Sequence, residues 1–355
     1  MSLAWSLRGQ FGHLKGALIP GAVAAVTVAM LHREELWRRA FGWSLIMSAL
    51  GFSLGGHMSY GSLIEEILTS HDPHLLAHHF FRLFLIGAVW GGLGLSFLGF
   101  SVSEKPPSLM DLVLFATVGF FWLTPLGIFN QETYDLFLFS GGLALMHLYN
   151  LVLKKSETVS IFGLAGILGF GFGFLLSVLL LFAGRNGFFK SPWPWWDLRD
   201  QVIGICGGCA VAWAVHRVAC KELLPARELI SLVTQRSGFI FYVVFIHGFN
   251  AFNVLTHCLQ AGTNPIFFRF FAVSLLSILA IAVIFFLRAD SERFLERALD
   301  HALYFSTFFF IWFMSVIGIA KQLLPLGWSH WEPAFTLFVV YSLVLSFWPI
   351  FRAYR

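Results

Sequence analysis

The run FFRLFLIGAVWGGLGLSFLGFS, residues 80–101, carries Arg82 near its start and no further charge up to Ser101. A helix that crosses a bilayer needs about 20 mostly apolar residues, because the hydrocarbon core is ~30 Å thick and each residue rises ~1.5 Å. This run meets that length. Its Gly87, Gly91 and Gly94 fall four and three residues apart, on one helix face. Lipid tails are as apolar as leucine, so helices in a membrane associate by close backbone approach, and small residues at this spacing permit it. The run therefore reads as a spanning helix packed tightly against neighbours.

The pattern recurs along the chain. GFSLGG (51–56), GLAGILGFGFGF (163–174) and GICGGCA (204–210) repeat the small-residue spacing. Glycine-rich runs also cradle nucleotides, but that needs a strand–turn–helix setting. GFGFGF at 169–174 has no lysine and no downstream acid in place. Close packing is the better account. The C-x-x-C at Cys206 and Cys209 sits in VIGICGGCAVAW, where the cysteines read as small packing residues rather than a redox or zinc pair.

Composition agrees. Of 355 residues, 58% are hydrophobic and 12% charged, about half the charge of an ordinary soluble domain. The net charge of +4 is spread over short loops with no basic arm, which excludes nucleic acid as a partner. Eleven apolar segments emerge, at 14–31, 42–63, 80–101, 108–129, 134–153, 159–183, 200–219, 237–258, 268–287, 301–320 and 334–351. The first follows basic residues but lacks a small-x-small cleavage site, so it reads as a membrane helix rather than a signal peptide. The expected fold is an all-α, polytopic membrane bundle of about eleven transmembrane helices in a single domain, 1–355.

Lysine and arginine set the expected orientation. Lys105 and the loops 33–39, 154–155, 217–236, 288–297 and 352–355 hold most of the 23 basic residues. The other side receives Arg8, Lys15, Arg82, Arg185, Lys190, Arg199, Arg269 and Lys321. That places the N-terminus outside and the C-terminus in the cytoplasm, in a bacterial inner membrane. A parallel repeat is also suggested: an offset of 116 lays Gly91-Gly92 on Gly207-Gly208 and Gly55 on Gly171. The units would be 14–129 and 134–258, followed by 268–351, and internal repeats are a transporter trait.

Polar side chains gather on the outer side of this scheme. GFSLGGHMSYGSLIEE (51–66) turns polar halfway, with His57, Tyr60, Glu65 and Glu66. The loop after it, LTSHDPHLLAHHFFR (68–82), ends in Arg82. Another, FFKSPWPWWDLRDQ (188–201), holds Trp196, Asp197 and Arg199, and its tryptophans read first as an interfacial belt. In FIHGFNAFNVLTHC (245–258), Asn250, Asn253 and His257 follow His247 at steps of three and four, on one stripe. Polar groups inside a span are costly and usually face a protein interior or a wet cavity.

The candidate substrate-binding set is therefore His57, Tyr60, Glu65, Arg82, Asn250, Asn253 and His257 around an outward-opening cavity, with Trp196, Asp197 and Arg199 at its mouth. Arg82 or Arg199 would take an anionic group, and the asparagines would orient a polar one. The histidines at 57–79 invite a metal reading, but no HExxH is present. No nucleophile elbow in a strand–turn–helix setting marks a catalytic centre, and the cofactor stays unassigned. The leading expectation is a transporter or channel-like protein for a small polar or charged solute. Its alternatives are a membrane-embedded transferase or hydrolase on a lipid-linked or periplasmic substrate, and a structural or assembly subunit. Expected partners are membrane lipids, the solute or a lipid headgroup, and a membrane-protein partner or second copy.

Overall fold

A computed structural model describes residues 1–8, 16–31, 36–37, 40–56, 60–70, 72–105, 108–120, 132–150, 152, 156–186 and 195–225. The chain divides into two compact units, Met1–Ala40 with Ser44–Leu229, and Phe41–Trp43 with Ile230–Arg355. The first unit contains nearly all the described residues and is the subject below. The regular elements among the described residues are α-helices: α1 (Ser2–Arg8), α2 (Leu18–Leu31), α3 (Phe41–Gly55), α4 (Gly61–Thr69), α5 (Pro73–Ser101), α6 (Leu109–Phe120), α7 (Glu132–Tyr149), α8 (Glu157–Arg185) and α9 (Trp195–Cys220).

Three of these stretches are long and apolar enough to cross a membrane: Pro73–Ser101, Glu157–Arg185 and Leu198–Cys220. This is the pattern of a multi-pass membrane protein, and it corrects the expected bundle of eleven transmembrane helices. The reason is that several apolar runs do not become single long helices. The run at 14–31 yields the 14-residue α2, and the run at 42–63 breaks after the 15-residue α3. Within 108–129, α6 accounts for 12 residues, and 121–131 are outside the described set. α7 has 18 residues but begins with Glu132 and Asp135, which lower its apolar content. The expected spans at 237–258, 268–287, 301–320 and 334–351 lie outside the described residues, as does the end of the second candidate repeat.

α5 starts earlier than its apolar run. Asp72 caps it by accepting a hydrogen bond from the His74 amide at 2.9 Å, and Pro73 occupies the first turn, where its missing N–H costs nothing. The stretch read as a loop around His74, His78 and His79 is thus the opening of a 29-residue helix. α5 is also the hub, the most enclosed of the three spans, whereas α8 and α9 bury only about half of theirs.

Glycine sets the spacing at this hub. A Cβ on Gly91 would collide with the Gly166 carbonyl, and a Cβ on Gly166 with that of Gly91, so the α5 and α8 backbones touch there. Farther along the same antiparallel contact, a Cβ on Gly99 would lie 3.0 Å from the Val159 Cα. On α9 the small residues admit different partners. Gly207 receives the Phe170 ring, and Gly204 lies against the backbone of Met1 and Ser2. Such contact exchanges side-chain bulk for backbone dispersion, the main attraction open to helices in lipid. The outer face of α8 shows Leu164, Leu168, Phe172, Leu176 and Leu179, an exposed apolar stripe suited to lipid.

Candidate functional site

α3 ends at Gly55 with Gly56 as its cap, and the chain next described begins at Tyr60, the residue preceding α4. Tyr60 is 2% exposed, while α4 buries Leu63, Ile64 and Ile67 and leaves Glu65 and Glu66 in the open. The segment 51–66 is therefore two things. Its tyrosine enters the interior, and its glutamates face outward.

Three parts of the chain converge on Tyr60. Arg8, at the end of α1, donates a hydrogen bond to the Tyr60 hydroxyl. Its guanidinium carbon lies 4.9, 5.3 and 5.1 Å from the ring centres of Trp5, Tyr60 and Trp90. From α9, the Arg199 guanidinium sits 5.7 Å from the Tyr60 ring centre and 4.7 Å from that of Trp196. Arg199 donates from Nε (3.0 Å) and Nη2 (2.7 Å) to one oxygen of Asp200, and both residues are buried. Guanidinium groups tolerate such surroundings because they are weakly hydrated, stack on rings and stay charged.

Burial pushes the Tyr60 hydroxyl above its ordinary pKa, with Asp200 adding to the effect and the two guanidiniums opposing it. Tyr60 is thus held as a neutral phenol that accepts from Arg8. Aromatic packing fixes the group in place: Trp5 meets Trp90, Phe170 and Phe174 at ring separations of 5.2, 5.2 and 5.7 Å. Phe174 in turn lies edge-on to Tyr60 at 4.8 Å.

A second cluster joins α4 to α5. His79 Nε2 is 3.3 Å from Glu66, and Arg82 is 4.0 Å from the same carboxylate oxygen. His79 is buried, whereas Glu66 is half open to solvent. Among the described residues, no three His, Cys, Asp or Glu side chains converge as metal ligands.

Of the residues singled out in the sequence, Tyr60, Trp196 and Arg199 come together. Arg82 joins Glu66 instead, and Glu65 is exposed on α4. Asp197 lies on α9, and Arg199 is bound by the Asp200 carboxylate. His57, Asn250, Asn253 and His257 are outside the described residues. Sequence reasoning missed Arg8, Trp5, Trp90 and Asp200 as members of the cluster. One local signal existed: Trp5 and Arg8 are three apart and so share a face of α1.

The opposite end of the bundle is built differently. Ser103 and Ser156 share a hydrogen bond at 2.8 Å, and Ser101 donates to Ser44 at 2.9 Å. Glu104 accepts from the Glu157 amide at 2.8 Å, and Lys221 pairs with Glu157. Between the ends, Ser96 and His147 link α5 to α7 at 3.2 Å, with Gly163 making room for the imidazole. Compared with known proteins, the chain matches no protein-family model, no curated protein and no solved structure.

Proposed function

We propose that this multi-pass membrane protein is a transporter or channel-like protein for a small polar or charged solute, with its binding residues at the Tyr60 end. The observation that carries the reading is the convergence of Arg8 and of Arg199, itself bound to Asp200, on one buried tyrosine, from helices far apart in sequence. Charge is costly inside a membrane protein, and where it is kept it commonly marks a solute or ion path. Tyr60, Trp196 and Arg199 belong to the proposed site, and Arg8 and Asp200 extend it. His57, Glu65, Arg82, Asp197, Asn250, Asn253 and His257 remain candidates for the rest of the cavity. By the distribution of lysine and arginine, the Tyr60 end faces away from the cytoplasm, and we assign the protein to a bacterial inner membrane.

Purified protein in liposomes, supplied in turn with small cations, anions and neutral polar solutes, tests the reading. Saturable flux that falls at least about tenfold in Arg199→Ala, a loss of ~1.4 kcal/mol or more, is the expected result. Turnover of a lipid-linked substrate without flux of any solute would overturn it.

A further inference from the structure

The surroundings of Arg8 resemble a ligand site more than a helix anchor. α1 has seven residues, about 10 Å of helix, and cannot span a bilayer. It is nonetheless inserted among the long helices. Met1 and Ser2 lie against Gly204, and Trp5 enters the ring cluster of Trp90, Phe170 and Phe174. Arg8 follows, 2% exposed, with three ring centres within 5.3 Å of its guanidinium carbon and the Tyr60 hydroxyl as acceptor. Ring faces around a cation, with an oxygen acceptor beside them, are the recognition chemistry for guanidinium and alkylammonium groups. Asp200 adds negative charge near the Tyr60 hydroxyl, and its bond to Arg199 keeps that guanidinium turned to the carboxylate.

We propose that Trp5, Tyr60 and Trp90 form a cation socket, which Arg8 fills as a tethered occupant and which a guanidinium- or ammonium-bearing ligand enters when Arg8 is withdrawn. If the transport reading holds, on which this extension rests, the solute class is cationic. Binding at the socket is independent of that reading.

The test uses the full-length Arg8→Ala protein in detergent and ethylguanidinium chloride, which restores the atoms that the substitution removes. Sodium chloride at equal ionic strength is the control. Arg8→Ala is expected to lower Tm, and ethylguanidinium to restore most of the loss saturably. The parent, its socket filled, should show no such rise, and Arg8→Ala combined with Tyr60→Phe should respond more weakly. No saturable rise in folded Arg8→Ala, or an equal rise in the parent, overturns the socket. If Arg8→Ala is lost on extraction, the readout becomes the yield of monodisperse protein with and without ethylguanidinium. An unchanged yield likewise overturns the proposal. In liposomes, labelled guanidinium should enter faster through Arg8→Ala than through the parent. Binding without guanidinium flux would sustain the socket and remove the cationic extension of the transport reading.

Discussion

Arg8 and Lys221 each close a polar cluster at an end of the α5–α8–α9 bundle, yet they are solvated in opposite ways. Arg8 is 2% exposed and surrounded by rings, whereas the side chain of Lys221 is 43% exposed and its partner Glu157 51%. At the Tyr60 end, guanidinium, carboxylate and phenol have left water and depend on one another. At the Lys221 end, serine hydroxyls hold the helix ends together, and the charged pair stays hydrated. The same kinds of group therefore carry different energetic weight. A buried charge that loses its partner cannot fall back on water, and a hydrated one can. The Lys221 end is suited to anchoring helices, the Tyr60 end to recognition.

Substitutions sharpen this contrast, and the largest effect is expected from Asp200→Ala. It strands the Arg199 guanidinium in a buried setting, which typically costs about 3–5 kcal/mol. Unfolding followed by SDS titration in mixed micelles would measure it, and a cost no greater than that of Lys221→Ala would erase the distinction between the ends. Tyr60→Phe comes next. It deletes the acceptor for Arg8 and keeps the ring, so a loss of about 1.5–3 kcal/mol is expected, as for hydrogen bonds to charged groups. The same titration should show Tyr60→Phe intermediate between Asp200→Ala and the serine variants.

At the other end, Ser156→Ala removes the Ser103 contact and the side-chain cap of α8 together. About 1 kcal/mol is the expected cost, seen as a modest fall in Tm. Lys221→Ala should matter least, at about 0–1 kcal/mol, because an exposed ion pair is screened by water and salt. Raising the salt concentration should shrink even that difference, while leaving the Asp200→Ala defect in place. A salt-insensitive Lys221→Ala effect would show that this pair is less hydrated than its exposure implies.

Part of this contrast was legible in the sequence. Arg8, Arg185 and Arg199 fall together in the expected partition of basic residues, and Lys105 and Lys221 fall on the other side. In the structure, Arg8 and Arg199 meet at Tyr60, and Arg185 and Arg199 share Trp196. Trp196 and Arg199 stood out through their neighbours in FFKSPWPWWDLRDQ, and Tyr60 through an apolar run turning polar. Arg8 did not stand out, because its one local signal, the helix face it shares with Trp5, does not distinguish a face about to be buried from one that ends a short helix in water.

Hydropathy and length are properties of one segment, and the runs near 80–101, 159–183 and 200–219 did become long apolar helices, whereas the same measure overreached at 14–31 and 42–63. Glycine spacing is local too, and it marked which faces permit close approach. The choice of partner was not local. Gly91 meets backbone at Gly166, while Gly207 admits the Phe170 ring. Only tertiary packing decided that α5 is enclosed, that the run at 42–63 divides before Tyr60, and that Asp200 holds Arg199. Those outcomes depend on what surrounds a side chain. A segment's own composition sets what it costs to leave water, and its neighbours determine whether that cost is met.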